Sequence, residues 1–169
     1  MAYSVFRWAE IDSEIADRIL ARYSKTNDER ILKILVGSKN SARATDLLPL
    51  LREFDDRYWQ MRTLQALLQA GLPLDISVIR EFPTEYVQAE VRLQNRAAIP
   101  TIKKLRRHRQ LRQDPVFLAF YGWAMYEFGE FDEVIGLSRA LSQLQSNRGH
   151  NHGLQRTPTR GAQAGAAEP

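Results

Sequence analysis

The 169-residue sequence contains no cysteine. Disulfides, thiolate–zinc sites and thiol nucleophiles are thereby excluded, and a reducing, cytoplasmic setting is the expectation. Histidine is scarce, with three residues in the chain. His108 stands among arginines, a poor place for a metal cation, and His150 and His152 form a lone His-x-His in a low-complexity stretch. The nine glycines are scattered and match neither the dinucleotide nor the Walker phosphate loop. No apolar run approaches the roughly 20 residues of a membrane-spanning helix. The opening stretch MAYSVFRWAEIDSEIADR carries Arg7 and no apolar segment, so no signal peptide is expected. Nor do β-branched residues alternate over a useful length, so no strand is expected. Nothing assembles a catalytic constellation, and the expectation is a non-enzymatic protein without cofactor or metal.

What is there is helical periodicity nearly throughout. An opening helix fits Trp8 to about Tyr23, with Ile11, Ile15, Ile19 and Leu20 on one face. Asn27 or Asp28 caps a short helix to Val36, which Gly37 ends. Ala42 to Phe54 is the next. Asp55 or Asp56 then caps a helix to Ala70, with Tyr58, Met61, Leu64, Leu67 and Leu68 inward and Trp59 buried beside the cap. Gly71 and Pro73 stop it. Short helices are expected over Asp75–Phe82 and from Glu85 to about Leu93. A helix from Ala97 to about Arg107 follows. Asp114-Pro115 is a strong start signal for another, which Gly129 ends. The last helix is expected from Phe131 to about Leu144. From residue 146 to 169 Gly, Pro, Ala, Asn and Gln dominate, and such a composition cannot offset its ordering entropy. The expected organisation is thus an all-α domain over residues 1–145 and a disordered tail over 146–169.

The net charge of +4 has an uneven origin. Residues 1–100 carry 14 basic and 14 acidic residues, whereas residues 101–112 contribute +6 and residues 113–145 contribute −4. The basicity is one run, KKLRRHRQLR, followed by an acidic segment. On a helical wheel Ala98, Ile99, Ile102 and Leu105 form the apolar stripe, and Lys103, Lys104 and Arg107 face away from it. Arg106 and Arg109 fall on the apolar side, so the helix ends near them or their stems snorkel. Two readings stand. In one, the run complements the helix dipole and is neutralised by Glu127, Glu130, Asp132 and Glu133. In the other, it is a surface for an acidic protein or for phosphates, although few aromatics interleave it for base stacking.

Three stretches resemble known families. ATDLLPLLREFDDRYWQMRTLQALLQAG (Ala44–Gly71) looks like a HEAT repeat, and RAAIPTIKKLRRH (Arg96–His108) resembles the second helix of the same repeat. YGWAMYEFGEFDEVIGLSRAL (Tyr121–Leu141) resembles a tetratricopeptide repeat, with Gly122 and Gly129 at the spacing of its small residues. It departs from that pattern at Val134 and Ala140. The resemblances imply a short right-handed α-solenoid of antiparallel hairpins whose concave surface binds a protein or peptide. The residues then expected to make contact are Lys103, Lys104, Arg106, Arg107, Arg109 and Arg112, together with Arg43 and Arg52. The alternative is a nucleic-acid-binding HEAT-like protein. Trp8 and Asp12, one turn apart, echo the concave-face residues of HEAT-like DNA glycosylases. Open solenoid ends also leave room for self-association. GLQRTPTRGAQAGAAEP, at the end of the chain, resembles translated read-through of the recombination sites in bacterial integron gene cassettes.

Overall fold

The computed structural model describes the backbone of residues 13–37 and 44–153, and the side chains of 14–37 and 46–142. Every regular element among the described residues is helical. The chain divides into two compact units, Met1–Glu130 and Phe131–Pro169. The first holds α1 (Ser13–Thr26), α2 (Glu29–Gly37), α3 (Ala44–Leu50), α4 (Arg57–Gln69), α5 (Ile76–Glu81), α6 (Pro83–Arg92), α7 (Ile99–Arg106) and α8 (Pro115–Glu127). The second holds α9 (Phe131–Gly153). That helix continues past the expected end at Leu144.

Local chemistry sets most boundaries. Asp56, Asp75 and Asp114 each sit before a helix in extended conformation and accept a hydrogen bond from a first-turn amide. Gly71 and Gly129 adopt φ of 71° and 74° just past α4 and α8, a region in which a Cβ is strained. Pro83 does two things. It follows α5, as the sequence suggests, and it also occupies the first position of α6, where its missing N–H costs nothing. The expected start at Glu85 is therefore two residues late.

In the first unit α2, α4, α6 and α8 pack in succession, each on the next. α1 lies on α2, α3 on α4, and α7 on α8. The central member, α6, is buried over most of its length, including Thr84, Glu85 and Glu90. Its neighbours supply a core of Leu32, Leu51, Phe54, Met61, Leu64, Leu67, Ile102, Leu105, Phe117, Tyr121, Met125 and Phe128. Removing such side chains from water is the main favourable term in folding, about 1.5–3 kcal/mol for each large one.

The burial corrects three expectations. Tyr58 is 49% exposed, because it lies in the first turn of α4 beyond the helices that cover Met61 and Leu64. Ile15 is 44% exposed, and the small Ala16 beside it is the buried residue of α1. Trp59 is half-buried rather than enclosed. Its ring stacks on Phe54 at 6.4 Å, meets Tyr58 edge-on at 5.3 Å and lies under the Lys33 ammonium at 5.5 Å.

In the second unit α9 buries Leu137 and exposes Phe131, Ile135 and Leu141. No helix among the described residues is long and apolar enough to cross a membrane.

Candidate functional site

The basic run is placed by α7 and the turns that follow it. A single 3-10 turn over Arg96–Ala98, capped by the Asn95 side chain, leads into α7. Pro100 lies in its first turn. Ala98, Ile102 and Leu105 are buried and Ile99 is half-buried, which anchors the stripe read from the wheel. The helix stops at Arg106, where its basic residues would otherwise run into the core face. Residues 111–113 form a second 3-10 turn, with Leu111 buried, and Asp114 then starts α8.

The six cations do different things. Lys103 Nζ is 2.8 Å from Glu130 Oε2, with both side chains about one-third exposed. The Arg106 guanidinium lies 5.1 Å from the Tyr121 ring centroid, which directs its charge onto an aromatic face of α8. Lys104, Arg107, Arg109 and Arg112 are exposed, and no ion pair joins any of them to another described residue. Of the acids expected to neutralise the run, Glu130 does so for Lys103. Glu127 instead accepts a hydrogen bond from Trp123 Nε1 at 3.1 Å.

Lys103, Lys104, Arg107 and Glu130, with Ile99 and Pro100, line an open depression of about 600 Å³. Its apolar part is two side chains, its rim carries three cations and one carboxylate, and no aromatic ring lines it. The arrangement can accept an apolar side chain on Ile99 and Pro100 while Lys104 and Arg107 meet neighbouring negative charges.

Arg52, also expected at the site, belongs elsewhere. Its guanidinium makes a two-pronged pair with Glu81, at 2.7 Å and 2.6 Å. Those bonds raise the Arg52 pKa and lower that of Glu81. Beside them a smaller, mostly apolar cavity of about 270 Å³ is lined by Leu48, Pro49, Leu51, Val78 and Phe82. Arg57 approaches the buried carboxylate of Glu85 at 3.7 Å. Arg43, Trp8 and Asp12 lie outside the described residues, as does the segment 154–169. Among the described residues no cluster of His, Asp or Glu could hold a metal ion.

One polar group was not anticipated. Glu90 on α6 is 2% exposed. It accepts a hydrogen bond from Asn95 Nδ2 at 2.8 Å and another from the Tyr86 hydroxyl. Burial holds its carboxyl above the ordinary carboxylate range, while the two donors oppose that rise. Burial, together with the Glu90 charge, likewise keeps the Tyr86 hydroxyl protonated. The cluster ties α6 to the turn that begins α7 and so positions the basic helix. Its sequence signal is weak, because TEYVQAE reads as a surface helix until its neighbours are known.

Compared with known proteins, the chain matches no family model, no curated protein and no solved structure.

Proposed function

We propose that the first unit is a non-enzymatic binding module that holds an acidic segment of a partner protein against α7. The observation that carries this reading is the pair Lys104 and Arg107, exposed beside an apolar patch, while Lys103 is already held by Glu130. A segment that alternates acidic and apolar side chains matches that surface. The succession α2, α4, α6, α8 supports reading the unit as a short HEAT- or TPR-like solenoid, in which alternate helices line one surface. The lack of a ring in the depression favours a peptide over a nucleic acid, which would gain from stacking.

The test is fluorescence anisotropy of the full chain with a labelled peptide of alternating Glu and Leu, beside labelled single- and double-stranded DNA and RNA, across salt. Peptide binding that Lys104→Ala with Arg107→Ala weakens by about tenfold or more supports the module. Tight nucleic-acid binding whose logarithm falls linearly with log salt, with the peptide left unbound, favours the alternative instead.

A further inference from the structure

Helix α8 is apolar on two sides. Phe117, Leu118, Tyr121, Ala124 and Met125 point into the core and are buried. On the opposite side Val116, Ala119, Phe120 and Trp123 follow one another at helical spacing. Val116 is 45% exposed and Trp123 37% exposed, Ala119 is exposed, and Phe120 is half-buried with its ring edge-on to Trp123 at 6.2 Å. A helix that is apolar all round ordinarily has neighbours on every side. Here the outer stripe meets solvent, and Glu127 on the same side continues it at the C-terminal end.

The two ends of this stripe carry opposite charge. Arg112, exposed, stands just before α8, and Glu127, exposed, ends it. The stripe is also graded in size, with Val116 and Ala119 toward the N-terminus and Phe120 and Trp123 toward the C-terminus. A surface of this kind is complementary to its own copy turned end for end. Centre an antiparallel pairing between Ala119 and Phe120. Val116 of one copy then lies opposite Trp123 of the other, Ala119 opposite Phe120, and Arg112 opposite Glu127. Each large ring meets a small residue, as helix packing requires, and each Glu127 carboxylate meets an arginine.

We propose that the occupant of this face is a second copy of the chain, paired through α8 about a two-fold axis near Ala119 and Phe120. A contact along one helix of about 20 Å falls at the small end of stable interfaces, so the dimer is a reversible one in the micromolar range. None of the pairing residues lines the Lys104–Arg107 depression, so a dimer carries two such depressions and a partner with two acidic segments gains by avidity.

The absence of cysteine supplies a clean test. In Ala119→Cys the two thiols lie across the axis, within reach of a disulfide. The full-length variant should cross-link on mild oxidation at about 50 μM, whereas Gln69→Cys, on an exposed position of α4, should remain monomeric on a denaturing gel. Sedimentation of the wild-type chain should show a concentration-dependent dimer. Ala119→Glu should weaken it by about tenfold or more with unchanged circular dichroism. Arg112→Glu and Glu127→Arg should each weaken it, and the two together should restore it. A wild-type chain that stays monomeric at about 100 μM overturns the proposal and leaves the stripe to a different protein. So does a dimer that ignores Ala119→Glu and fails to cross-link through position 119.

Discussion

Asp114→Ala removes the residue on which the whole start of α8 depends. An α-helix opens with four amides that lack a partner inside it, and here every one is accounted for. The Asp114 amide donates to the Leu111 carbonyl at 3.2 Å. Pro115 has no N–H to satisfy. Val116 and Phe117 both donate to Asp114 Oδ1, at 2.9 Å and 3.2 Å. The next amide, Leu118, already makes a helical bond to the Asp114 carbonyl at 2.9 Å. Alanine leaves the Val116 and Phe117 donors without acceptors and removes a negative charge from the positive end of the helix. Loss of a cap costs about 1–2 kcal/mol at such a site, and loss of the charge adds a further ~0.5 kcal/mol. Spread over a unit of this size, the sum lowers the melting temperature by roughly 4–8 °C. Urea unfolding followed by circular dichroism should show a lower midpoint at unchanged slope. Asp114→Asn keeps the acceptor and should recover most of the loss. A loss from Asp114→Ala below about 0.5 kcal/mol, or an asparagine as damaging as alanine, refutes the accounting.

Other outcomes follow from the same structure. Phe117→Ala empties a fully buried site against Tyr121 and should cost about 3–5 kcal/mol in the same urea experiment. Glu90→Gln should change how stability depends on pH. Because the carboxyl of Glu90 is raised in the fold, the unfolded chain gives up its proton first, and this residue's contribution falls as pH rises from the ordinary carboxylate range to the raised folded value. The stability of Glu90→Gln relative to the native chain should therefore climb as pH rises above the ordinary carboxylate range, and a constant difference contradicts the assignment. Glu130→Gln removes the one carboxylate of the depression, so it should tighten binding of the Glu–Leu peptide several-fold at low salt. Its own effect on stability should stay near ~0.5 kcal/mol, since the pair is partly exposed.

Much of the fold was legible because its punctuation is local. Asp56, Asp75 and Asp114 cap through their own side chains, and Gly71 and Gly129 terminate through their own backbone. The basic stripe of α7 was legible for the same reason, since Ala98, Ile102 and Leu105 announce its inner face. What was not legible depends on neighbours. Tyr58 has the spacing of a core residue but falls past the edge of the helices that would cover it. Glu85 and Glu90 have the composition of a surface and lie inside, because α6 is sandwiched between α4 and α8. Within the site, the sequence grouped six cations that the structure separates. The wheel places Arg106 on the inner side but cannot show that Tyr121 receives it. Nor can a charge count show that Glu130 takes Lys103 and leaves Lys104 and Arg107 exposed.

The central claim is that the surface around Lys104 and Arg107 binds an acidic, partly apolar segment. Its most direct test is a titration of the isotopically labelled full chain with the Glu–Leu peptide, followed amide by amide by NMR. The account predicts saturable shifts concentrated between Ile99 and Arg107 and at Glu130, abolished in the Lys104→Glu, Arg107→Glu double variant. Shifts that are absent, or that fall around Arg52 and the Leu48–Phe82 cavity instead, contradict it.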